Sequence, residues 1–350
     1  MKEHVVSRKN QLRSLLVIVI LMVITIAVIF KDYSIRELIE VIESIHPYYI
    51  LAGIGLMFLY AGCQAMNIRL IMGKLKYRAS YKNCIEYAYI GNYFGAITPG
   101  ASGGQPAQIY YMNKDKIHVD ISTITIFFMV FASQIVIVLM GGIYVIFERQ
   151  IFLKTENWFH YLLLAGALVM TGLTFILFAL MFSKRVIPFL VNLALKIGER
   201  FHWIKNPALA KAKMEVLLIA YRDKAVIILK HPDLFVKVFL ITVLQWISYC
   251  MVSYLVYLSF GYRAFDAFSL MAGQAFINIA VAAVPLPGSV GIAEKSFLII
   301  YGQFYPAPDL PSAMILSRII TFYLPLLISF LVYLLAHHRT VRAHKARSAS

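Results

Sequence analysis

The chain has 350 residues, of which 61% are hydrophobic and 14% are charged, and its mean hydropathy is +0.75. Soluble domains carry roughly 25% charged residues, so this composition excludes an ordinary soluble protein and indicates an all-α polytopic membrane protein. The formal net charge of +16 does not require a nucleic-acid partner, because lysine and arginine crowd the cytoplasmic loops of membrane proteins.

Six apolar segments are long enough to cross about 30 Å of hydrocarbon as helices. We predict full spans at about 14–30, 47–71, 118–146, 158–182, 235–258 and 312–336. The first of them follows a basic amino terminus, as a signal peptide would. It is long, however, and lacks a small-residue cleavage site before Lys31, so we interpret it as a retained span.

Two further apolar segments, 82–115 and 266–304, are each interrupted by a proline-glycine turn. The first turn lies at Thr98–Pro106 and the second at Pro285–Gly291. Backbone that leaves the helix at membrane depth is tolerated only where protein or a water-filled cavity satisfies its N–H and C=O groups. Interrupted helices at corresponding positions of two halves indicate a transport site. We therefore expect the function to lie at these turns.

The basic residues predict how the chain is threaded. The first interrupted segment lies between basic Lys74–Lys82 and Lys114–Lys116, so it begins and ends in the cytoplasm. The second lies between Arg263–Asp266 and the proline-rich loop Pro306–Pro311, so it begins and ends outside. Each is then a re-entrant hairpin, and the two enter from opposite faces, as an inverted repeat requires. We expect a plasma-membrane protein with both termini in the cytoplasm.

This threading divides the chain into four regions. They are a first membrane half (1–182) with hairpin 82–115, a basic cytoplasmic connector (183–233), a second membrane half (234–336) with hairpin 266–304, and a basic cytoplasmic tail (337–350). The connector is too charged to span a membrane. Its mixture of apolar and basic positions fits either an amphipathic helix on an anionic leaflet or a solvated link between the halves.

The candidate substrate-binding residues lie in and beside the two turns. Glycine adopts positive φ without strain and lets a headgroup approach the backbone. The amide of Gln105 suits a phosphate or a hydroxyl, and the N–H groups of 100–104 suit an anion nest at the start of a half-helix. The predicted set is Thr98, Gly100, Gly103, Gly104, Gln105, Gly288, Gly291, Glu294 and Arg318.

Glu294 and Arg318 are ionisable groups at membrane depth, where such groups usually face the bundle interior. Glu294 begins the returning helix of the second hairpin, where the helix dipole stabilises a carboxylate. Arg318 lies too deep in the last span to reach water easily, so it needs a carboxylate partner or an anionic ligand. Two interpretations stay open: a polar cluster that contacts a charged headgroup, or an internal ion pair that locks the hairpin.

Other polar residues within the membrane segments have plainer interpretations. Glu86 is either a satisfied interfacial carboxylate or a substrate contact. We expect interhelical hydrogen bonds to explain most of a further group, namely Asn67, Gln134, Gln245, Gln274 and Asn278. The three cysteines have no CxxC spacing, and the sequence contains no GxSxG, P-loop, HExxH or Asp-x-Asp motif. We expect no metal and no cofactor, and no catalytic residue is identified.

The segment Ala96–Pro106 resembles a signature of the lysylphosphatidylglycerol synthase transmembrane family, which includes the membrane half of the bacterial multiple peptide resistance factor. Val284–Glu294 is similar to the second signature of that family, and Ser317-Arg318 with Pro325 is similar to its last-span pattern. The likeness covers roughly residues 10–336. Gln105 departs from the pattern, since relatives usually carry a glutamate there, and this argues against a cation-contacting or proton-coupled role for that position.

The resemblance implies a membrane domain that moves an aminoacylated or otherwise modified phospholipid between leaflets. In full-length relatives a separate soluble domain transfers lysine from lysyl-tRNA to phosphatidylglycerol, and we expect no such domain in this chain. We predict a flippase for a phospholipid or a lipid-linked substrate. The alternatives are a lysyltransferase-type or other lipid-modifying transferase, or a membrane partner of a separate soluble synthase. An oligomer is compatible with the sequence, and direct nucleic-acid binding is not expected.

Overall fold

The computed structural model describes the backbone of residues 46–182, 224, 226–228 and 230–348. The predicted span 14–30 and most of the predicted connector 183–233 lie outside the described residues. Within them the protein is all-α. Its helices are α1 (Pro47–Lys74), α2 (Tyr81–Ala96), α3 (Gly104–Lys114), α4 (Val119–Phe147), α5 (Arg149–Leu153), α6 (Asn157–Phe182), α7 (Pro232–Ser259), α8 (Ala267–Val281), α9 (Ile292–Tyr301), α10 (Leu310–Arg318) and α11 (Leu324–Ser348).

The five predicted spans that fall within the described residues are confirmed as helices. Helices α1, α4, α6 and α7, and the continuous stretch Leu310–Arg339, are each long and apolar enough to cross a membrane. That last stretch combines α10 and α11 with a π-helical turn at Ile319–Tyr323 between them. Pro325 explains the turn, because proline has no N–H for the carbonyl one turn earlier and its ring crowds that carbonyl.

Helices α1 and α7 form the most extensive helix–helix contact among the described residues and run antiparallel. At one end the N–H of His46 donates to the carbonyl of Ser259 at 3.2 Å. At the other end Lys74 Nζ lies 2.8 Å from an Asp233 carboxylate oxygen. Each of these helices precedes a hairpin, so corresponding elements of the two halves run in opposite directions, as an inverted repeat requires. We refer to the two ends as the His46 face and the Lys74 face.

The first hairpin, α2 with α3, opens at the Lys74 face. Tyr87 near its start donates to an Asp115 carboxylate oxygen at its end, at 2.7 Å. Arg339 on α11 closes this end by pairing both Nη atoms with the carboxylate of Glu86, at 3.0 and 2.6 Å. Glu86 is therefore a satisfied carboxylate at the hairpin entrance, which is one of its two predicted interpretations.

The second hairpin, α8 with α9, opens at the opposite, His46 face. Tyr301 at the end of α9 donates to the carbonyl of Leu270 at 2.7 Å. Ser269 at the start of α8 donates to Glu148, directly after α4, at 2.8 Å. Since α4 starts beside the first hairpin and crosses the fold, the two hairpins open at opposite ends of the helix bundle, as hairpins that enter from opposite faces would. Their tips pack against each other inside the helix bundle.

Candidate functional site

The two hairpin tips have the same backbone conformation. In the first, Gly100 and Ala101 have φ of 59° and 56°. In the second, Gly288 and Ser289 have φ of 60° and 52°. A proline precedes each pair, and two consecutive positive φ values are typical of a type I′ turn, in which glycine is favoured. The matched tips extend the inverted repeat to the turns themselves.

Two features of the structure favour glycine at position 288. Its positive φ is strained for any residue with a side chain, and a Cβ built on it would lie 2.3 Å from the ring of Phe322. Phe322 belongs to the π-helical turn of the last span. The second tip is therefore fitted directly onto the irregular part of that span.

Thr98 and Gly103 stabilise the first turn from within. The hydroxyl of Thr98 donates to the carbonyl of Phe94 at 2.6 Å and accepts the N–H of Gly103 at 2.8 Å. The N–H groups of Ala101 and Ser102 also donate inside the turn. Three of the N–H groups predicted for an anion nest are thus used by the turn, and neither Thr98 nor Gly103 lines the cavity described below.

Gly104 allows the two arms of the first hairpin to touch. A Cβ on Gly104 would lie 2.8 Å from the carbonyl oxygen of Gly91 on α2 and 3.5 Å from the backbone of Gly95. Backbone atoms cannot move aside as a flexible side chain can, so a larger residue would separate α2 from α3. Gln105, the next residue, is half-buried and faces the cavity.

Glu294 and Arg318 form an ion pair behind the second tip. Arg318 Nε lies 2.8 Å from Glu294 Oε1, and Arg318 Nη2 donates to the carbonyl of Gly288 at 3.1 Å. The other carboxylate oxygen of Glu294 accepts the N–H of Gly291 at 2.6 Å, at the amino end of α9. The guanidinium also stacks on Phe322, with Cζ 4.4 Å from the ring centroid. The pair therefore connects the last span, the second tip and the returning helix.

A cavity of about 530 Å³ lies around the two tips. Its walls come from the middles of α1, α4, α6 and α7, from both hairpins and from the last span. Five of the predicted site residues line it: Gly100, Gly104, Gln105, Gly288 and Arg318. Gly291 and Glu294 lie behind this wall and contribute through the ion pair. The structure thus brings the two predicted clusters into one site.

The lining is rich in amides and carries a single charged side chain, that of Arg318, among the residues that the structure describes. Eight amide side chains share the lining: Gln64, Asn92, Gln105, Gln108, Gln134, Gln245, Gln274 and Asn278. Some of these amides are already hydrogen-bonded to other residues of the protein. Asn92 donates to Gln64 at 3.1 Å, and Gln108 donates to the carbonyl of Tyr87 at 3.1 Å. The cavity is therefore polar without being strongly charged.

Several polar atoms in this lining have no hydrogen-bond partner among the described residues. The acceptors are Oε1 of Gln134 and Oε1 of Gln245, the donors are Nε1 of Trp246 and Nδ2 of Asn278, and the hydroxyl Oγ of Ser329 can do either. Gln245 is 1% exposed. Buried polar groups in proteins are nearly always hydrogen-bonded, so an unpaired set on the residues around one cavity is unusual. A small rotation of these side chains into the cavity would let a polar occupant pair them.

The prediction that interhelical hydrogen bonds explain these amides is right for only part of the group. Asn67 donates to Thr242 across α1 and α7 at 3.0 Å, and Gln274 accepts from Ser253 at 3.1 Å. Gln134, Gln245 and Asn278 instead carry the unpaired atoms of the cavity.

Sequence reasoning did not single out Gln64, Asn92 or Gln108. Asn92 and Gln108 stand within the uncharged run that contains the first turn, and Gln64 stands in the apolar middle of α1. An amide inside such an uncharged run, close to a glycine turn, was the available signal for a lining residue. Amides in the helices that face the turns across the cavity give the same signal.

Two comparisons with known proteins agree with this architecture. The family model of the lysylphosphatidylglycerol synthase TM region matches residues 11–329. A UPF0104 membrane protein of Archaeoglobus fulgidus is 25% identical over 266 aligned positions, in an alignment that covers 74% of this chain and 77% of that protein. The family match includes both hairpins and the last span as far as Ser329, which lines the cavity. The chain is therefore a multi-pass membrane protein that belongs to the lysylphosphatidylglycerol synthase TM region family.

Proposed function

We propose that this protein is a flippase that moves a phospholipid between the two leaflets of the plasma membrane. The polar headgroup occupies the amide-lined cavity while the acyl chains remain in lipid. The observation that carries this proposal is a polar cavity midway along the helix bundle, at the point where two oppositely directed hairpins meet. Sites of this kind, built from interrupted helices of inverted repeats, are typical of transporters.

The depth of the polar residues supports a route through the membrane. Gln134 lies at the middle of the 29-residue helix α4, and Gln245 lies at the middle of the 28-residue helix α7. A headgroup that crosses hydrocarbon loses its hydrogen bonds to water, which costs several kcal/mol for each unsatisfied group. Amides at this depth replace those bonds and lower the barrier.

The exposed part of the lining suits acyl chains. The exposed lining residues are Gly100, Ala101 and Leu286 at the hairpin tips and Leu173 on α6, and all four are apolar. A lining that combines polar side chains with exposed apolar residues matches an amphipathic substrate.

Arg318 is the group that we assign to the phosphate. Its guanidinium faces the cavity, and two of its five N–H donors are held by Glu294 and Gly288. Guanidinium binds phosphate through paired hydrogen bonds, and Glu294 fixes its orientation from behind. In this proposal the ion pair has both predicted roles, as a lock for the hairpin and as a headgroup contact.

We assign the Lys74 face to the cytoplasm. Lys74, Lys76, Arg78, Lys82, Lys114, Lys116, Lys230, Lys237 and Arg339 lie on this face and outnumber its described acidic residues, which are Glu86, Asp115, Asp120 and Asp233. On the His46 face the charges are nearly balanced, because Glu148, Glu156, Asp266 and Asp309 accompany Arg149, Lys154 and Arg263. An excess of lysine and arginine marks the cytoplasmic side of membrane proteins.

Reconstitution tests the proposal. Purified protein is inserted into vesicles that contain phosphatidylglycerol with a fluorophore on one acyl chain, and a membrane-impermeant quencher is added outside. Protein-containing vesicles should lose fluorescence from both leaflets, and protein-free vesicles only from the outer one. The Arg318→Lys protein keeps the charge but loses the paired hydrogen bonds, so it should be folded and slow. Equal loss in vesicles with and without protein, across several phospholipids, would overturn the flippase proposal.

A further inference from the structure

The composition of the cavity wall limits the headgroup it accepts. Among the described lining residues, eight side chains are amides, one is the Arg318 guanidinium and none is a carboxylate. The nearest carboxylate, Glu294, is 2% exposed and already holds Arg318 and the N–H of Gly291. A cationic headgroup would therefore enter a site that offers it no negative partner.

The unpaired atoms of the wall are a mixture of donors and acceptors. Trp246 Nε1 and Asn278 Nδ2 donate, whereas Gln134 Oε1 and Gln245 Oε1 accept. An ammonium group only donates, so it would leave both donors unpaired. A hydroxyl group both donates and accepts, so two or three hydroxyl groups on one headgroup would satisfy both kinds of atom.

We propose that, beyond its phosphate, the headgroup taken up by this cavity is uncharged and rich in hydroxyl groups, as glycerol and sugars are. This inference rests on the proposed flippase function and narrows its substrate. It replaces the aminoacylated lipid implied by the family resemblance with a lipid that carries no amine. Arg318 holds the phosphate, and the amides on α4, α7 and α8 hold the hydroxyl groups.

A matched set of three lipids tests the inference in the vesicle assay. The first is acyl-labelled phosphatidylglycerol, the second its lysyl ester, and the third the same ester with both amines acetylated. The acetylated ester has the size of the lysyl ester without its positive charges. We expect phosphatidylglycerol and the acetylated ester to move at least about tenfold faster than the lysyl ester, a ratio that corresponds to ~1.4 kcal/mol.

A variant that adds one carboxylate to the wall sharpens the test. Gln134→Glu changes an amide of the cavity into a carboxylate of nearly equal size. It should raise the rate of the lysyl ester relative to phosphatidylglycerol by about tenfold. The control Gln150→Glu, at an exposed residue of α5 outside the cavity, should leave the ratio of the two rates unchanged.

The outcomes separate this inference from the flippase proposal. If the lysyl ester moves as fast as phosphatidylglycerol, the inference is wrong and the flippase stands. If both esters are equally slow, size and not charge sets the selectivity, and the inference is again wrong. If no phospholipid is moved by the unmodified protein, the proposed function itself fails.

Discussion

Removing the carboxylate of Glu294 should destabilise the protein strongly. The side chain of Glu294 is 3% exposed and that of Arg318 is 12% exposed, so water cannot replace the lost contact. Breaking a buried pair by removing one partner leaves an uncompensated charge and costs ~3–5 kcal/mol. We expect Glu294→Gln to lower the free energy of unfolding by that amount.

The geometry also predicts which second changes rescue the fold. Glu294→Gln with Arg318→Met removes both charges, and replacing a buried ion pair with uncharged residues is often neutral for stability. The double variant should therefore unfold close to the unmodified protein and yet fail to move lipid. The charge swap Arg318→Glu with Glu294→Arg should not rescue the fold. It would place a carboxylate against the Gly288 carbonyl and a guanidinium against the Gly291 N–H.

Equilibrium unfolding in mixed detergent and lipid micelles measures these differences. Glu156→Gln is the matched control, because that carboxylate is exposed at the His46 face and surface changes usually stay within about 0.5 kcal/mol. A loss for Glu294→Gln below about 1 kcal/mol, the value of a solvent-exposed pair, would refute the reasoning. Full recovery of stability and transport by the charge swap would reduce Arg318 to a structural residue.

Three further predictions follow from the hairpins. Gly288→Ala should lower stability and transport together, because positive φ costs a residue with a side chain about 1–2 kcal/mol and the new Cβ would meet Phe322. A thermal melt measures the stability and the vesicle assay measures the transport. An unchanged melting temperature would contradict this prediction. Gly104→Leu should abolish transport while leaving membrane insertion intact, since it separates the arms of the first hairpin; surviving transport would contradict it. Single cysteines placed at Lys114 and at Asp309, in a protein without its native cysteines, should label differently in intact cells: only the Asp309 site should react with an impermeant reagent. Equal labelling of both sites would refute the assigned orientation.

The helices and hairpins could be predicted because they depend on local sequence. Long uncharged runs fix the spans, and a proline followed by glycine fixes each tip. The charges on the flanking loops then give the direction of entry. These signals need no information on packing, which is why the inverted repeat could be inferred before the fold was known.

The site could be predicted only in part, because the same side chain serves different purposes in different surroundings. Thr98 has the chemistry of a headgroup contact, yet it caps its own turn. Gln245 has the chemistry of an interhelical bond, yet its oxygen is unpaired beside a cavity. The π-helical turn before Pro325 was also missed, because proline predicts an irregular helix but not which irregularity forms.

Crosslinking from the headgroup tests the central idea most directly, that the lipid headgroup occupies the cavity between the hairpins. A phosphatidylglycerol with a small photoreactive group on its glycerol is added to vesicles that contain the protein. After illumination, peptide mass spectrometry locates the adducts. We predict adducts on the cavity residues Gln134, Gln245 and Trp246. Adducts confined to outward-facing residues such as Tyr161 and Phe175, which are 73% and 69% exposed, would contradict the account.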